Sequence, residues 1–286
     1  MPNRNASLVE PNLASPLDFA VHERTASAID MVRVALDAGR AKLAFQPVVS
    51  THGGGRVSFY EGLIRMIDPQ DRVIPAGDFI EKVEDKELGR QLDCRALSLG
   101  LRALKHNPGL RLSVNMSARS IGYPKWMGIL QKHIRNHPDA VERLILEITE
   151  SSAMMMPELV IAFMEELQDC GVTFALDDFG AGFTAFRYLR DFSFDILKID
   201  GQFVRAVESN PDNQVLMAAL ISVAHHFDML SVAESVETAE AASWLSRAGV
   251  DCLQGYLYGA PQFRPSWQEQ LRPAETADDR HEAAMG

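Results

Sequence analysis

Short apolar segments that alternate with helical patterns constrain the fold of this 286-residue chain more than any other feature. Most of these segments are rich in Val, Ile, Leu or Phe and almost continuously apolar, which is typical of strands covered on both faces. The eight strand candidates are KLAFQPVV, VSFYEGLIR, LRLSVNMS, RLILEITE, VTFALDDF, DILKID, LSVAES and DCLQGYL. The helix candidates between them are 76–83, 86–104, 125–137, 157–169, 213–227 and 238–248.

Eight strands with interleaved helices predict an α/β fold, the (β/α)8 barrel. The first two strands are joined only by STHGGGR, a connection of hairpin length that is too short for a parallel crossover. We therefore expect one strand of the barrel to run antiparallel to the others.

The domain organisation follows from where the pattern starts and stops. Residues 1–25 carry Asn, Pro, Ser and charges and are predicted to form a loosely ordered arm. Residues 272–286 are rich in Ala and charges and are predicted to be a solvated tail. No Ser/Gly linker interrupts residues 26–271, which we interpret as one barrel domain.

Composition excludes several classes of protein. A hydrophobic fraction of 47% excludes wholesale disorder, and 28 basic against 39 acidic residues argue against binding nucleic-acid polymers or anionic membranes. The most apolar run, Val215–Ala224, is much shorter than the ~20 residues of a spanning helix. Three distant cysteines without a CxxC pattern indicate reduced thiols. We expect a cytoplasmic protein without membrane attachment.

Polar residues interrupt the apolar runs near their C-terminal ends. In a barrel these residues point toward the face where active sites of this fold are found. One such acid is most often a helix cap or a solvated terminus, but a succession over the strands predicts a carboxylate-rich cup with one lysine. The residues concerned are Glu61, Asn115, Glu147, Asp177, Asp178, Lys198, Glu234 and Gln254.

The predicted cup has the ligands of a hard metal ion. Carboxylates packed together repel one another unless a cation neutralises them. Oxygen ligands without His or Cys favour Mg²⁺ or Mn²⁺. The adjacent pair Asp177 and Asp178 could reach two ions at once, which would give a two-metal site suited to phosphoryl chemistry.

Nine motifs in order give the chain a resemblance to a known family. They are FQPVV, EGLIR, IPAGDFI, SVNMS, LEITES, FALDDFGAGF, LKIDGQF, VAESVET and LQGYLYGAP. From about Ala41 to Pro261 the sequence resembles the EAL-domain family, bacterial phosphodiesterases that open cyclic di-GMP to linear pGpG. The resemblance implies a TIM-like barrel with one antiparallel strand and two Mg²⁺ or Mn²⁺ ions.

The resemblance also implies a role for each matched residue. Glu61, Asn115, Glu147 and Asp177 would hold the first ion, and Asp177 with Asp178 the second. Lys198 would position the attacking water, Glu234 would hold a metal-bound water, and Glu150 would brace the loop 178–186. That loop would contact a second copy in a homodimer. Arg65 would contact a phosphate of cyclic di-GMP, and Gln46, Leu63 and Gln254 would line the ligand groove.

The sequence departs from the family pattern at a few positions near the motifs. Gly62 replaces Ala in the signature tripeptide, Ser235 replaces a usual Gly, and the loop reads GAGFTAF with Ala181 and Ala185. All predicted metal ligands are present, so hydrolysis is the leading hypothesis. A cyclic di-GMP receptor with little or no turnover is the alternative that these departures motivate, and a protein-interaction module is a third.

Overall fold

The computed structural model describes residues 16–52, 54–182, 189–265 and 267, with side chains described from residue 27 onward. The strands are β1 (Ala41–Ser50), β2 (Val57–Ile67), β3 (Val73–Pro75), β4 (Leu112–Asn115), β5 (Leu144–Thr149), β6 (Thr173–Phe179), β7 (Ile196–Ile199), β8 (Leu230–Ala233) and β9 (Cys252–Gln254). The α-helices are α1 (Pro16–Asp37), α2 (Ile80–Val83), α3 (Glu87–His106), α4 (Pro124–Asn136), α5 (Pro138–Val141), α6 (Glu150–Met155), α7 (Pro157–Gln168), α8 (Gly201–Val204), α9 (Pro211–His226) and α10 (Ala239–Ala248). Two short 3₁₀ turns cover Ala76–Asp78 and Ala118–Ser120.

Eight strands close into a barrel. The hydrogen-bonded order is β1-β9-β8-β7-β6-β5-β4-β2, and β1 pairs with β2 to complete the ring. Strand β1 is antiparallel to both of its neighbours, whereas the neighbouring pairs from β2 through β9 are parallel. The predicted TIM-like barrel with one antiparallel strand is therefore confirmed. Strand β3 lies outside the ring, antiparallel to the end of β2.

The barrel interior is built in two layers because inward-facing residues recur at every second position of a strand. The lower layer is an apolar cluster of Val48, Phe59, Ile145, Ala175, Ile196, Val232 and Cys252. Two residues further along five of these strands come Glu61, Glu147, Asp177, Lys198 and Gln254, all buried. The polar residues thus stand on an apolar floor at the C-terminal end of the barrel.

Three features differ from the sequence prediction. Helix α1 begins at Pro16, so residues 16–25 are helical although they were assigned to a loosely ordered arm. Strand β3 was not predicted. Helix α6 begins at Glu150 directly after β5, where Thr149 caps it by accepting a hydrogen bond from the Ser152 amide. The tail 272–286 lies outside the described residues.

No described helix is both long enough and apolar enough to cross a bilayer.

Candidate active site

The Lys198 ammonium lies at the centre of the polar layer. Its Nζ is 2.8 Å from Asp177 Oδ1 and 2.8 Å from Glu234 Oε1. Glu147 Oε2 lies 3.1 Å away and Glu61 Oε2 3.6 Å away. Four strands of the barrel supply these carboxylates and the lysine, and Glu234 follows the end of β8 directly. The sequence-predicted residues are thus brought together around one cation.

Two amide side chains donate hydrogen bonds to the Glu61 carboxylate. Asn115 Nδ2 donates to Glu61 Oε1 at 2.8 Å, and Gln254 Nε2 donates to Glu61 Oε2 at 2.5 Å. Gln254 Nε2 also lies 3.2 Å from Gln46 Oε1, and Gln46 Nε2 donates to the Gly259 carbonyl at 3.1 Å. This hydrogen-bond network therefore holds the Glu61 carboxylate in place without a bound ligand.

Asp177 and Asp178 share one side of β6 although consecutive strand residues normally point to opposite faces. The register against β7 shifts between Leu176 and Phe179, and Asp178 adopts a left-handed backbone with φ of 54°. As a result, carboxylate oxygens of Asp177, Asp178 and Glu234 lie within 4.8 Å of one another. The bulge converts a sequential pair of acids into a spatial one.

The crowding of the carboxylates perturbs their proton affinities. Burial, together with Glu61 and Asp177, raises the pKa of Glu147 well above its ordinary value. Burial also raises the pKa of Glu234 to about 8 and, with Asp177 nearby, that of Asp178 to about 6. Although burial opposes it, Lys198 and hydrogen bonds from Gln254 and Asn115 lower the pKa of Glu61. The site holds more negative charge than its single lysine balances.

The residues present fit a divalent cation. Oxygens of Glu61, Glu147 and Asp177 lie within 4.8 Å of one another, as do those of Asp177, Asp178 and Glu234. Glu147 Oε1 is fully buried and accepts no hydrogen bond from a described residue, which is costly unless a cation binds there. The donor set is all oxygen, as hard ions prefer. Asp177 belongs to both groups and so could bridge two ions.

A cavity of about 690 Å³ opens above the polar layer. Gln46, Leu63 and Gln254, predicted to line the ligand groove, and Arg65, predicted to contact a phosphate, all line this cavity. Arg65 lines the cavity from β2, and its Nη1 donates to the Ile64 carbonyl at 3.0 Å. The cavity is therefore lined by a guanidinium group, which could bind an anionic ligand, as well as by the carboxylate cup.

Glu150 lies outside this cavity. Its carboxylate is buried, and its Oε2 accepts a hydrogen bond from the Gly180 amide at 3.0 Å. Gln202 Nε2 donates to the carbonyl of the same glycine at 3.0 Å. The start of the loop after Asp178 is thus held from two sides, whereas residues 183–188 lie outside the described part of the chain.

Sequence reasoning missed Asp93, which lines the same cavity from helix α3. Its Oδ2 accepts hydrogen bonds from Ser120 Oγ at 2.6 Å and from the Ser117 amide at 3.0 Å. Burial nevertheless raises its pKa to about 6. The available signal was an acid between Leu92 and Cys94 in the apolar part of a predicted helix.

The two departures nearest the predicted metal ligands differ in their surroundings. A Cβ at Gly62 would lie 3.1 Å from the Ser113 carbonyl oxygen and 3.3 Å from Cδ1 atoms of Leu112 and Leu43. Gly62 is therefore packed closely by its neighbours. Ser235 has a φ of 55°, in the left-handed region where glycine is favoured, and it lines the cavity beside Glu234.

Comparison with known proteins decides the family. Residues 29–261 match the family model described as the EAL domain. The chain belongs to the EAL-domain family. This match covers the whole barrel from within helix α1 to the segment after β9.

Curated relatives of this EAL domain come from several bacteria. It is 29% identical over 238 residues to the cyclic di-GMP phosphodiesterase PdeF of Escherichia coli, covering 82% of this chain and 32% of PdeF. It is 34% identical over 224 residues to the probable cyclic di-GMP phosphodiesterase PdeN of the same organism, covering 77% of this chain and 43% of PdeN. The chain thus spans less than half the length of these relatives.

Solved structures share the fold of this EAL domain. The FimX EAL domain from Pseudomonas aeruginosa bound to c-di-GMP is 27% identical, with a TM-score of 0.73 covering 82% of this chain and 96% of that one. The PaMucR phosphodiesterase in its c-di-GMP complex is 28% identical, with a TM-score of 0.72 covering 86% and 99%.

Proposed function

We propose that this EAL domain is a phosphodiesterase that hydrolyses cyclic di-GMP to linear pGpG with two divalent ions, Mg²⁺ or Mn²⁺. The observation that carries the proposal is the cluster of Glu61, Glu147, Asp177 and Glu234 around Lys198. The other two predicted metal ligands adjoin this cluster, because Asn115 donates a hydrogen bond to Glu61 and a carboxylate oxygen of Asp178 lies within 4.8 Å of those of Asp177 and Glu234. Relatives named as cyclic di-GMP phosphodiesterases support the reaction class.

Lys198 suits the positioning of water rather than the removal of its proton. Burial alone would lower the pKa of this ammonium, but the surrounding Asp177, Glu147, Glu234 and Glu61 raise it well above its ordinary value. A lysine that stays protonated donates hydrogen bonds and stabilises a developing hydroxide, but it cannot accept a proton. Bound divalent ions would supply Lewis-acid activation of the phosphodiester and of water.

The products follow from the direction of attack. A water oxygen forms a bond to phosphorus, and the bond from phosphorus to the ribose 3′ oxygen breaks. The water loses a proton, and the leaving 3′ oxygen gains one, so the ring opens to a linear dinucleotide with a 5′ phosphate. In this proposal Lys198 positions the attacking water, Glu234 would hold a metal-bound water beside it, and Arg65 binds the phosphate of the substrate.

A second candidate function is a receptor that binds cyclic di-GMP with little turnover. It is favoured by Gly62 and Ser235, which place departures from the family pattern beside Glu61 and Glu234. A structure of the similar FimX EAL domain is bound to c-di-GMP. The sequence expectations of a homodimer through the loop after Asp178 and of a cytoplasmic location stay part of the proposal.

One assay separates these functions. The protein is incubated with cyclic di-GMP and Mg²⁺ or Mn²⁺, products are resolved by chromatography, and binding is measured by calorimetry. Linear pGpG that forms with metal and disappears with chelator supports the phosphodiesterase. Binding without product supports the receptor, and absence of binding leaves the interaction module.

Two variants test whether turnover depends on the carboxylate cup. Glu61→Gln keeps the shape of the side chain but removes the charge that the predicted ions need, so turnover should fall by a factor on the order of a hundred or more. The matched control is Glu240→Gln, the same change on the exposed face of helix α10, which should leave turnover unchanged. Equal activities of the two variants would contradict the metal assignment.

A further inference from the structure

We infer that helix α1 positions the outer wall of the ligand cavity, with Val32 and Ala35 as positioning residues. The inference starts from a hydrophobic cluster that is separate from the barrel interior. Its buried members, which we name the wall cluster, are Val32, Ala35, Ala41, Met66, Phe79, Val83, Leu88 and Leu92. They come from α1, α2, the start of α3, and the paired ends of β1 and β2.

The same segments that form the wall cluster also line the cavity. Ala76, Ile80 and Leu92 contact the cluster and line the cavity above Lys198. Ile64, which precedes Arg65, does the same from β2. The wall is therefore one layer thick, with ligand space on one side and the α1 side chains packed behind it.

The part of the cavity wall formed by helix α2 has little intrinsic stability. Helix α2 is a single turn, and Phe79, the residue that precedes it, provides no side-chain cap. One isolated turn is unfavourable in water, so tertiary packing must hold it. Phe79 and Val83 are completely buried in the wall cluster, where Val32 is also completely buried. Packing against α1 therefore stabilises the turn α2, which its own backbone hydrogen bonds are too few to hold.

Helix α1 reaches beyond the wall that it supports. The helix runs from Pro16 to Asp37, and its side chains that join or pack on the wall cluster, among those the structure describes, lie between Ile29 and Leu36. The remaining residues extend about 20 Å past Ile29 at the helical rise. A displacement of this helix would therefore act directly on the cavity wall, including the ends of β1 and β2 that belong to the wall cluster.

The test compares two identical substitutions in one helix. Val32→Ala removes buried methyl groups from the wall cluster, whereas Val34→Ala makes the same change at a position that is 58% exposed. Hydrogen exchange is followed at the amides of Lys82 and Glu84, which bond within the wall, and at the amides of β5. We expect Val32→Ala to speed exchange about tenfold in the wall only, and Val34→Ala to change neither region.

Ligand binding provides the second measurement and rests on the proposed function. Val32→Ala should raise the Kd and KM for cyclic di-GMP about tenfold while kcat changes less than about twofold, because the residue supports the wall and not the Lys198 cluster.

Two results would overturn the inference. Equal exchange and affinity in Val32→Ala and Val34→Ala would mean that α1 does not support the wall. Faster exchange in β5 to the same extent as in the wall would mean a general loss of stability. A wild-type protein that does not bind cyclic di-GMP would refute the proposed function instead, while the exchange comparison would still decide the role of α1.

Discussion

Carboxylates lie at both ends of the barrel, and their surroundings differ. At the N-terminal end Asp251 Oδ2 accepts hydrogen bonds from the Ser231 amide at 2.9 Å, Ser231 Oγ at 2.6 Å and His225 Nε2 at 2.9 Å. At the C-terminal end Glu147 Oε1 is buried and accepts no hydrogen bond from a described residue. The acid at the N-terminal end is satisfied by hydrogen bonds, whereas the acid at the C-terminal end has an oxygen left without one, which agrees with the separation of stability and function expected of this fold.

Their proton affinities differ in the same way. Hydrogen bonds from Ser231 and His225 lower the pKa of Asp251 below its ordinary value, although burial of the carboxylate acts in the opposite direction. Burial and neighbouring carboxylates raise the pKa of Glu147. Asp251 and Glu147 thus differ in whether their surroundings favour the charged form of the carboxylate.

The largest expected effect is that of Glu147→Gln, which tests whether this acid serves function rather than stability. If the acid serves metal binding, turnover should fall by a factor on the order of a thousand, about 4 kcal/mol of barrier. Because a raised pKa means that the fold disfavours the charged form, removing the charge should leave the Tm in chelator equal or higher at neutral pH. Turnover and calorimetric Tm are measured on the same preparation, and a lower Tm with retained turnover would reverse the assignment.

Asp251→Asn should do the opposite. The amide cannot replace a charged acceptor of three hydrogen bonds, so the free energy of unfolding should fall by about 2 kcal/mol. Turnover should stay within about twofold of wild type because Asp251 lies at the far end of the barrel from Lys198. Denaturant unfolding and the cyclic di-GMP assay measure the two quantities, and a large loss of turnover in a folded variant would count against the separation of roles.

The pH dependence of the unfolding free energy tests whether the charge of Asp251 is the source of its stabilising effect. A carboxyl with a lowered folded pKa stabilises the fold above its unfolded pKa of about 4, and this stability is lost as the pH falls through the folded value. The difference in unfolding free energy between wild type and Asp251→Asn should therefore be full above about pH 5 and shrink in more acid solution. A difference that stayed constant down to low pH would show that charge is not its cause.

Gly62→Ala tests how tightly the cup end is packed. The new Cβ would meet the Ser113 carbonyl and two leucine methyl groups at 3.1 to 3.3 Å, so stability should fall by about 1 kcal/mol and turnover should not rise. Gly77→Ala is the control, since a Cβ there meets no atom within 4 Å. A gain in turnover from Gly62→Ala would show that the glycine limits catalysis.

The smallest expected effect is that of Ser235→Gly. Relief of the left-handed backbone should raise the free energy of unfolding by about 0.5–1 kcal/mol. Ser243→Gly on helix α10, which has no such strain to relieve, should lower it by a similar amount. If both variants lose stability, the conformation of Ser235 is not a source of strain at the cup end.

The sequence allowed the barrel and most of the cup to be predicted because both depend on the two-residue period of strands. Glu61, Glu147, Asp177 and Lys198 each follow an apolar inward residue by two positions, a spacing visible without coordinates. The antiparallel β1 followed from a connection too short for a crossover.

What could not be predicted depends on packing between elements. Asp93 lies on a helix, and which face of α3 meets the cavity is set by the barrel behind it. The left-handed backbone at Asp178 is a local choice that the strand pattern does not signal. The packing of α1 on the wall cluster depends on contacts with α2 and α3, which are distant in sequence.

The two-layer interior restricts which insertions the chain can tolerate. One extra residue between Ile145 and Glu147 would turn the acid outward into the helical layer and bring an apolar side chain into the cup. The strand would still pair and the barrel would still close, but its chemistry would be lost. Length variation in such a protein is therefore confined to the loops above the polar layer and below the apolar floor.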